Sequence, residues 1–139
     1  DRLKIAERLS AQRPPELPPL NVCIQVNIDG GLSKSGVAPG EALPLARAVA
    51  ALPNLKLRGL MTIPEIAPDL EATRAAHMSA TALFDQLNAA GLGLDTLSMG
   101  MSADLEPAIA AGSTMVRVGS AIFGSRPAKP AVHLRCARD

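Results

Sequence analysis

The residues best placed to do chemistry gather near the end of the chain. In Thr114-Met115-Val116-Arg117-Val118 the two valines share one face of a strand and Arg117 takes the other. A guanidinium inside a sheet costs several kcal/mol unless it is paired. Two partners would satisfy it: a carboxylate such as Asp104 or Glu106, which makes the arginine structural, or a bound ligand. Gly119-Ser120 follows at once, and backbone N–H groups freed at such a turn, beside a hydroxyl, form an anion cup. Upstream, Ser98-Met99-Gly100-Met101-Ser102 ends another apolar run. Gly100 permits close backbone approach there, and Ser102 offers a hydroxyl at the carboxyl end of a strand. Each string alone is also what an ordinary turn looks like.

Other chemistries are poorly supplied. Cys23 and Cys136 lie far apart, and with only His77 and His133 beside them no metal-ligand spacing exists. Cys23 sits in an apolar run and reads as an inert buried thiol, while His77 falls on the buried side of a helix and reads as a packing residue. Fourteen Lys and Arg against thirteen Asp and Glu leave a charge of +1, without the basic stripe that nucleic acid requires. Two Phe and no Trp or Tyr give no base-stacking platform. No apolar run approaches about 18 residues and the start is unlike a signal peptide, so a soluble, cytoplasmic protein is expected.

The elements that must position these residues follow from periodicity. Residues 1–12 read as a helix with Leu3, Ile5, Ala6 and Leu9 on one side, and 13–19 form a proline-rich connector. Leu20, Val22, Ile24, Val26 and Ile28 alternate as a strand over 20–28. A loop over 29–40 leads to a helix carrying Leu45, Ala48, Val49 and Leu52, which stops at Pro53-Asn54. A second strand runs from 55 to 63. Asp69 then caps a long helix with the stripe Ala76, Ala80, Leu83, Phe84 and Leu87, closed by Gly91. A third strand covers 94–99, Asp104 caps a short helix ended by Gly112, and a fourth strand covers 114–118. The order is α, then βα three times, then β, an α/β pattern of parallel strands with right-handed crossovers. Either a four-stranded open sheet or half of a (β/α)8 TIM-type barrel fits, since a whole barrel needs about 250 residues.

Several strings closely resemble one family. Asp1-Arg2-Leu3-Lys4-Ile5-Ala6, Ser33-Lys34-Ser35-Gly36, Leu57-Arg58-Gly59-Leu60-Met61, Ser98 to Asp104, and Gly112 to Gly124 occur in the order of the pyridoxal-phosphate homeostasis proteins. Those proteins resemble the N-terminal barrel of alanine racemase. The resemblance implies a (β/α)8 barrel of which residues 1–126 supply strands five to eight, with an irregular tail over 127–139. It implies pyridoxal 5′-phosphate, or phosphate alone, as ligand, and a role in vitamin B6 and amino-acid homeostasis without a firmly established catalytic activity. It assigns Ser102, Gly119 and Ser120 to the phosphate, Arg117 to the pyridine nitrogen, and Met101 to the cofactor site beside them. The family's cofactor is held covalently on a lysine at the end of the first strand, and Lys4, Lys34, Lys56 and Lys129 do not match that lysine's motif. Two open sheet edges would also favour self-association or pairing with a missing N-terminal half. The competing expectations are a racemase-like enzyme fragment and a fragment that binds nothing.

Overall fold

The structure is a computed structural model that describes residues 1–31, 35–65 and 69–127. The elements alternate as the periodicity implies: α1 (Leu3–Gln12), β1 (Leu20–Val26), α2 (Ala42–Ala50), β2 (Leu55–Thr62), α3 (Leu70–Ala89), β3 (Thr96–Met101), α4 (Leu105–Ala111), β4 (Met115–Arg117) and the single turn α5 (Ser120–Phe123). The four strands form one sheet in the order β1-β2-β3-β4, and every neighbouring pair is parallel. This is a partial (β/α) barrel, with α2, α3 and α4 packed on its outer face.

The core lies between that outer face and the helices. Leu60, Leu87, Leu97 and Met99 are its largest fully buried apolar side chains. Truncating such a leucine to alanine costs about 2–5 kcal/mol. The α3 stripe is buried at Ala80, Leu83 and Leu87 as expected, and Asp69 caps the helix by accepting from the Ala72 N–H at 2.7 Å. In α2 the buried residues are Ala42, Ala46 and Val49, with Leu45, and Leu52 just beyond the helix, only half-buried at the margin of the core. In α1 only Ala6 and Ser10 are buried, and Leu3, Ile5 and Leu9 remain exposed. The stripe meets α2 and the outer side of β1 only loosely: Ile5, Ala6 and Leu9 line a shallow hollow with Val22, Leu45 and Val49.

Two irregularities decide where side chains point. Val22 pairs with Leu57 but Cys23 pairs with Gly59, so Arg58 is an extra residue on β2. A bulge of this kind reverses the alternation of the strand beyond it. Before the bulge Leu55 joins the core, and after it Leu60 and Thr62 do. Gly59 is required here, because a Cβ at this position would sit 1.5 Å from the Thr96 carbonyl oxygen. The second irregularity separates the Ser98–Met115 and Met101–Arg117 pairs, where β3 carries one residue more than β4. Gly100 stands in that stretch with φ +98°, and a Cβ there would approach Ala108 Cβ to 2.6 Å. A side chain is thus excluded twice, by conformation and by space.

The inner face of the sheet corrects two expectations. A parallel strand is buried on both faces only where something covers each face; here the helices cover the outer face, the inner face is open and Met115 is 52% exposed. Cys23, read as buried, is exposed on that side for the same reason. The strand boundaries also shift: β3 spans 96–101 rather than 94–99, which puts Gly100 and Met101 in the strand, and β4 spans only 115–117. Hydroxyls make up for that shortness. Ser113 Oγ donates to the Met99 carbonyl at 2.6 Å, and Thr114 Oγ1 accepts from the Leu97 N–H at 2.7 Å. Lys34, Lys129, Cys136, His133 and the tail over 128–139 lie outside the described residues.

Candidate functional site

Arg117 closes β4 and its guanidinium lies across the inner ends of the neighbouring strands. Nη1 donates to Ser98 Oγ at 2.5 Å and Nη2 to the Thr62 carbonyl at 2.7 Å. Of the two alternatives, pairing with Asp104 or Glu106 does not occur: among the described residues Arg117 makes no ion pair. Burial lowers its pKa from the usual arginine value, partly opposed by the field of Asp104, and a guanidinium stays protonated regardless. The result is a half-buried cation anchored by neutral acceptors, with donors to spare.

A cleft of about 1200 Å³ opens beside it at the carboxyl ends of the strands. Its walls are the start of α3, the β3–α4 turn, and the segment from Gly119 to Pro127. Met101, Ser102, Arg117, Gly119 and Ser120 all line it. These five positions, separated by up to nineteen residues in sequence, therefore share one wall system. Ser102 Oγ accepts the Ala121 N–H at 3.1 Å, which joins the β3–α4 turn to the first turn of α5. A Cβ at Gly119 would meet no protein atom within 4 Å, so this glycine fills no packing role and leaves its backbone open to the cleft.

Two contributors were not legible as site components. The Thr62 carbonyl is one, because a backbone acceptor carries no side-chain signal. The other is the link from His77 to Asp104. His77 is fully buried, as its place on the apolar stripe implied, but its Nε2 lies 2.9 Å from Asp104 Oδ2. Asp104 occupies the N-cap position of α4 without capping it through its side chain, and its other oxygen accepts the Met101 N–H at 2.7 Å. A histidine followed after a strand by an aspartate in a turn is too common a pattern to mark such a pair.

The alanine racemase N-terminal domain model matches residues 1–127. The chain belongs to that family. Within it, the chain is 60% identical over 126 residues to the pyridoxal phosphate homeostasis protein of Pseudomonas aeruginosa, and 58% identical over 129 residues to that of Escherichia coli. Each alignment covers 91% of this chain and 54% of the relative, so the chain spans about half the length of the curated relatives it matches. Among solved structures, PipY of Synechococcus elongatus with pyridoxal phosphate bound superposes with a TM-score of 0.79 at 31% identity, over 89% of this chain and 58% of that one. A Bifidobacterium adolescentis protein of unknown function superposes at 0.81 and 37% identity, over 88% and 50%. The resemblance read from the motifs is thus confirmed, and the four-stranded sheet is part of a racemase-family barrel.

Proposed function

We propose that this chain contributes the phosphate-holding half of a pyridoxal 5′-phosphate site and binds the cofactor's phosphate non-covalently, without catalytic turnover. In this reading it serves vitamin B6 homeostasis in the cytoplasm, as part of a barrel completed by further strands. The observation that carries the reading is Arg117, a cation without a carboxylate partner among the described residues, lining the same cleft as Ser102, Gly119 and Ser120. An anion placed there meets donors and a positive charge together, which is the condition for a charge-assisted contact. The PipY structure with pyridoxal phosphate bound supports the identity of the ligand.

The residues fit that cofactor at its phosphate end. Ser102 and Ser120 supply hydroxyls and Gly119 an unobstructed backbone, while Arg117 has N–H groups left over for the ring. Bound pyridoxal phosphate serves other enzymes as an electron sink. An arginine can only donate, so beside the ring nitrogen it favours the unprotonated ring and weakens that sink. Binding without fast chemistry is the expected consequence.

Titration of inorganic phosphate and of pyridoxal phosphate, followed at the Ser102 and Ser120 amides by NMR, tests the reading. Saturable shifts at both are expected. No perturbation by either ligand overturns it, and a lysine adduct trapped by borohydride overturns its non-covalent part.

A second reading rests on the open inner face and the exposed Leu3, Ile5 and Leu9 of α1. A partner half-barrel, or a second copy of the chain, would cover both. Sedimentation of the chain across a concentration range separates association from a monomer.

A further inference from the structure

We infer that His77 is a positioning residue for the anion cleft, acting through Asp104 to hold the turn that carries Ser102. The inference rests on the functional reading above for its purpose, but its geometry stands alone. His77 lies on α3, fully buried, on the face where Ala80, Leu83 and Leu87 make ordinary core contacts. An apolar side chain would fill that place without a polar atom to satisfy. The imidazole instead carries one nitrogen to Asp104 and leaves Nδ1 buried without a hydrogen-bond partner. A polar group kept in the core at that cost has a use in the contact it does make.

That contact is a relay of two hydrogen bonds. A carboxylate offers only acceptors, which assigns the hydrogen to Nε2 of His77. Asp104 Oδ2 receives it at 2.9 Å, and Oδ1 receives the Met101 N–H at 2.7 Å. The carboxylate is therefore fixed from both sides, by a helix in the core and by the last residue of β3. Between Met101 and Asp104 stands Ser102, whose Oγ takes the Ala121 N–H at 3.1 Å. Gly100, just before, has φ +98° and no side chain to restrain the turn by packing. The α3–α4 contact that frames the pair is itself hydrogen-bonded, with Thr81 Oγ1 donating to the Ala111 carbonyl at 2.6 Å. The start of α3 lines the cleft directly, and its buried middle reaches the Ser102 turn through one imidazole, so the orientation of the Ser102 hydroxyl depends on a residue that touches no ligand.

The test compares His77→Leu with His77→Gln in the whole chain. Glutamine places an amide N–H where Nε2 stands and restores the donor; leucine keeps the bulk and removes it. The first readout needs no ligand: hydrogen exchange of the Met101 and Ala121 amides. His77→Leu is expected to speed both at least about tenfold, the size of one lost hydrogen bond to a charged group, and His77→Gln to restore them. The second readout is inorganic phosphate affinity, expected to fall about tenfold in His77→Leu and to recover in His77→Gln. Unchanged exchange in folded His77→Leu overturns the inference, and so does faster exchange with phosphate affinity intact. If the wild-type chain binds no phosphate, the functional reading fails while the exchange comparison still decides the role of His77. If His77→Leu does not fold, Asp104→Ala removes the same relay from the solvent side, and unchanged exchange at Met101 and Ala121 in that variant overturns the inference.

Discussion

Arg58 and Arg117 stand on the strands that flank β3, and their guanidinium groups are held in opposite ways. Arg58, on the β2 bulge, makes a bidentate pair with Asp95, Nε to Oδ1 at 2.8 Å and Nη2 to Oδ2 at 2.7 Å. Arg117 receives no carboxylate among the described residues and is anchored by a hydroxyl and a carbonyl instead. Asp95 is well exposed, so the first pair is screened by solvent and adds little stability. The second cation keeps its charge uncompensated at the cleft. A fork that matches a carboxylate fixes a strand end, whereas a fork held by neutral acceptors keeps its charge for a ligand.

Four changes would break or sharpen that contrast. The largest removes the sheet that carries both arginines. Gly59→Val drives a side chain into the Thr96 carbonyl, and no rotamer relieves a Cβ placed 1.5 Å from backbone oxygen. A loss of about 4 kcal/mol or more is expected, seen as a collapse of the cooperative thermal transition. A variant that melts like the wild type would show that β2 and β3 are not as close as described.

Arg117→Ala comes next. Pyridoxal phosphate affinity is expected to fall by at least about tenfold, the scale of a charge-assisted hydrogen bond lost at the ring, while Arg58→Ala leaves it unchanged. Calorimetric titration of both variants makes the comparison. A stability loss with intact affinity in Arg117→Ala would return that residue to a purely structural role, alongside Arg58.

How far the residues alone carried this picture follows from the same contrast. Alternation in β1 and the capped stripe of α3 were legible because one face of each meets the core. Arg117 was legible because a charge between two valines has few explanations. The stripe of α1 marked its helix correctly, although Ala6 alone of its four residues became buried. Cys23 misled, because an apolar run implies burial on both faces only where both faces of the strand are covered. The β2 bulge was invisible, because nothing in Leu57-Arg58-Gly59 distinguishes an extra residue from a paired one. Asp104 and His77 each had a correct position and an unforeseen partner, since a relay between a helix and a distant turn has no local pattern.

The third change tests the Arg58 side. Hydrogen bonds from Arg58, then from Thr96, hold Asp95 at about 2, below the ordinary carboxylate value of 3.8. A folded pKa below the unfolded one means that the stabilisation is complete above about pH 4 and is lost as the pH falls through about 2. Asp95→Asn is therefore expected to flatten the acid limb of the stability curve in that window and to leave phosphate affinity unchanged. Denaturant midpoints measured from pH 2 to 5, at low and at high salt, check both the sign and the screening. A limb as steep in Asp95→Asn as in the wild type would show that the pair is not formed in solution.

The smallest effect belongs to Cys23, which lies in the field of both arginines. Partial desolvation raises its thiol pKa, and Arg58 and Arg117 oppose the rise while Asp95 adds to it. The thiolate is the reactive form, so a raised pKa slows alkylation even at an accessible sulfur. Iodoacetamide should therefore modify Cys23 in the folded chain, more slowly than a free thiol near pH 8, with peptide mass spectrometry counting Cys136 separately. Removing Asp95 should quicken the reaction slightly and removing Arg117 should slow it slightly. Protection until global unfolding would restore the buried thiol and, with it, a sheet whose inner face is covered. A rate equal to that of a free thiol would show that the two cations fully offset the desolvation, or that the sulfur is not desolvated at all.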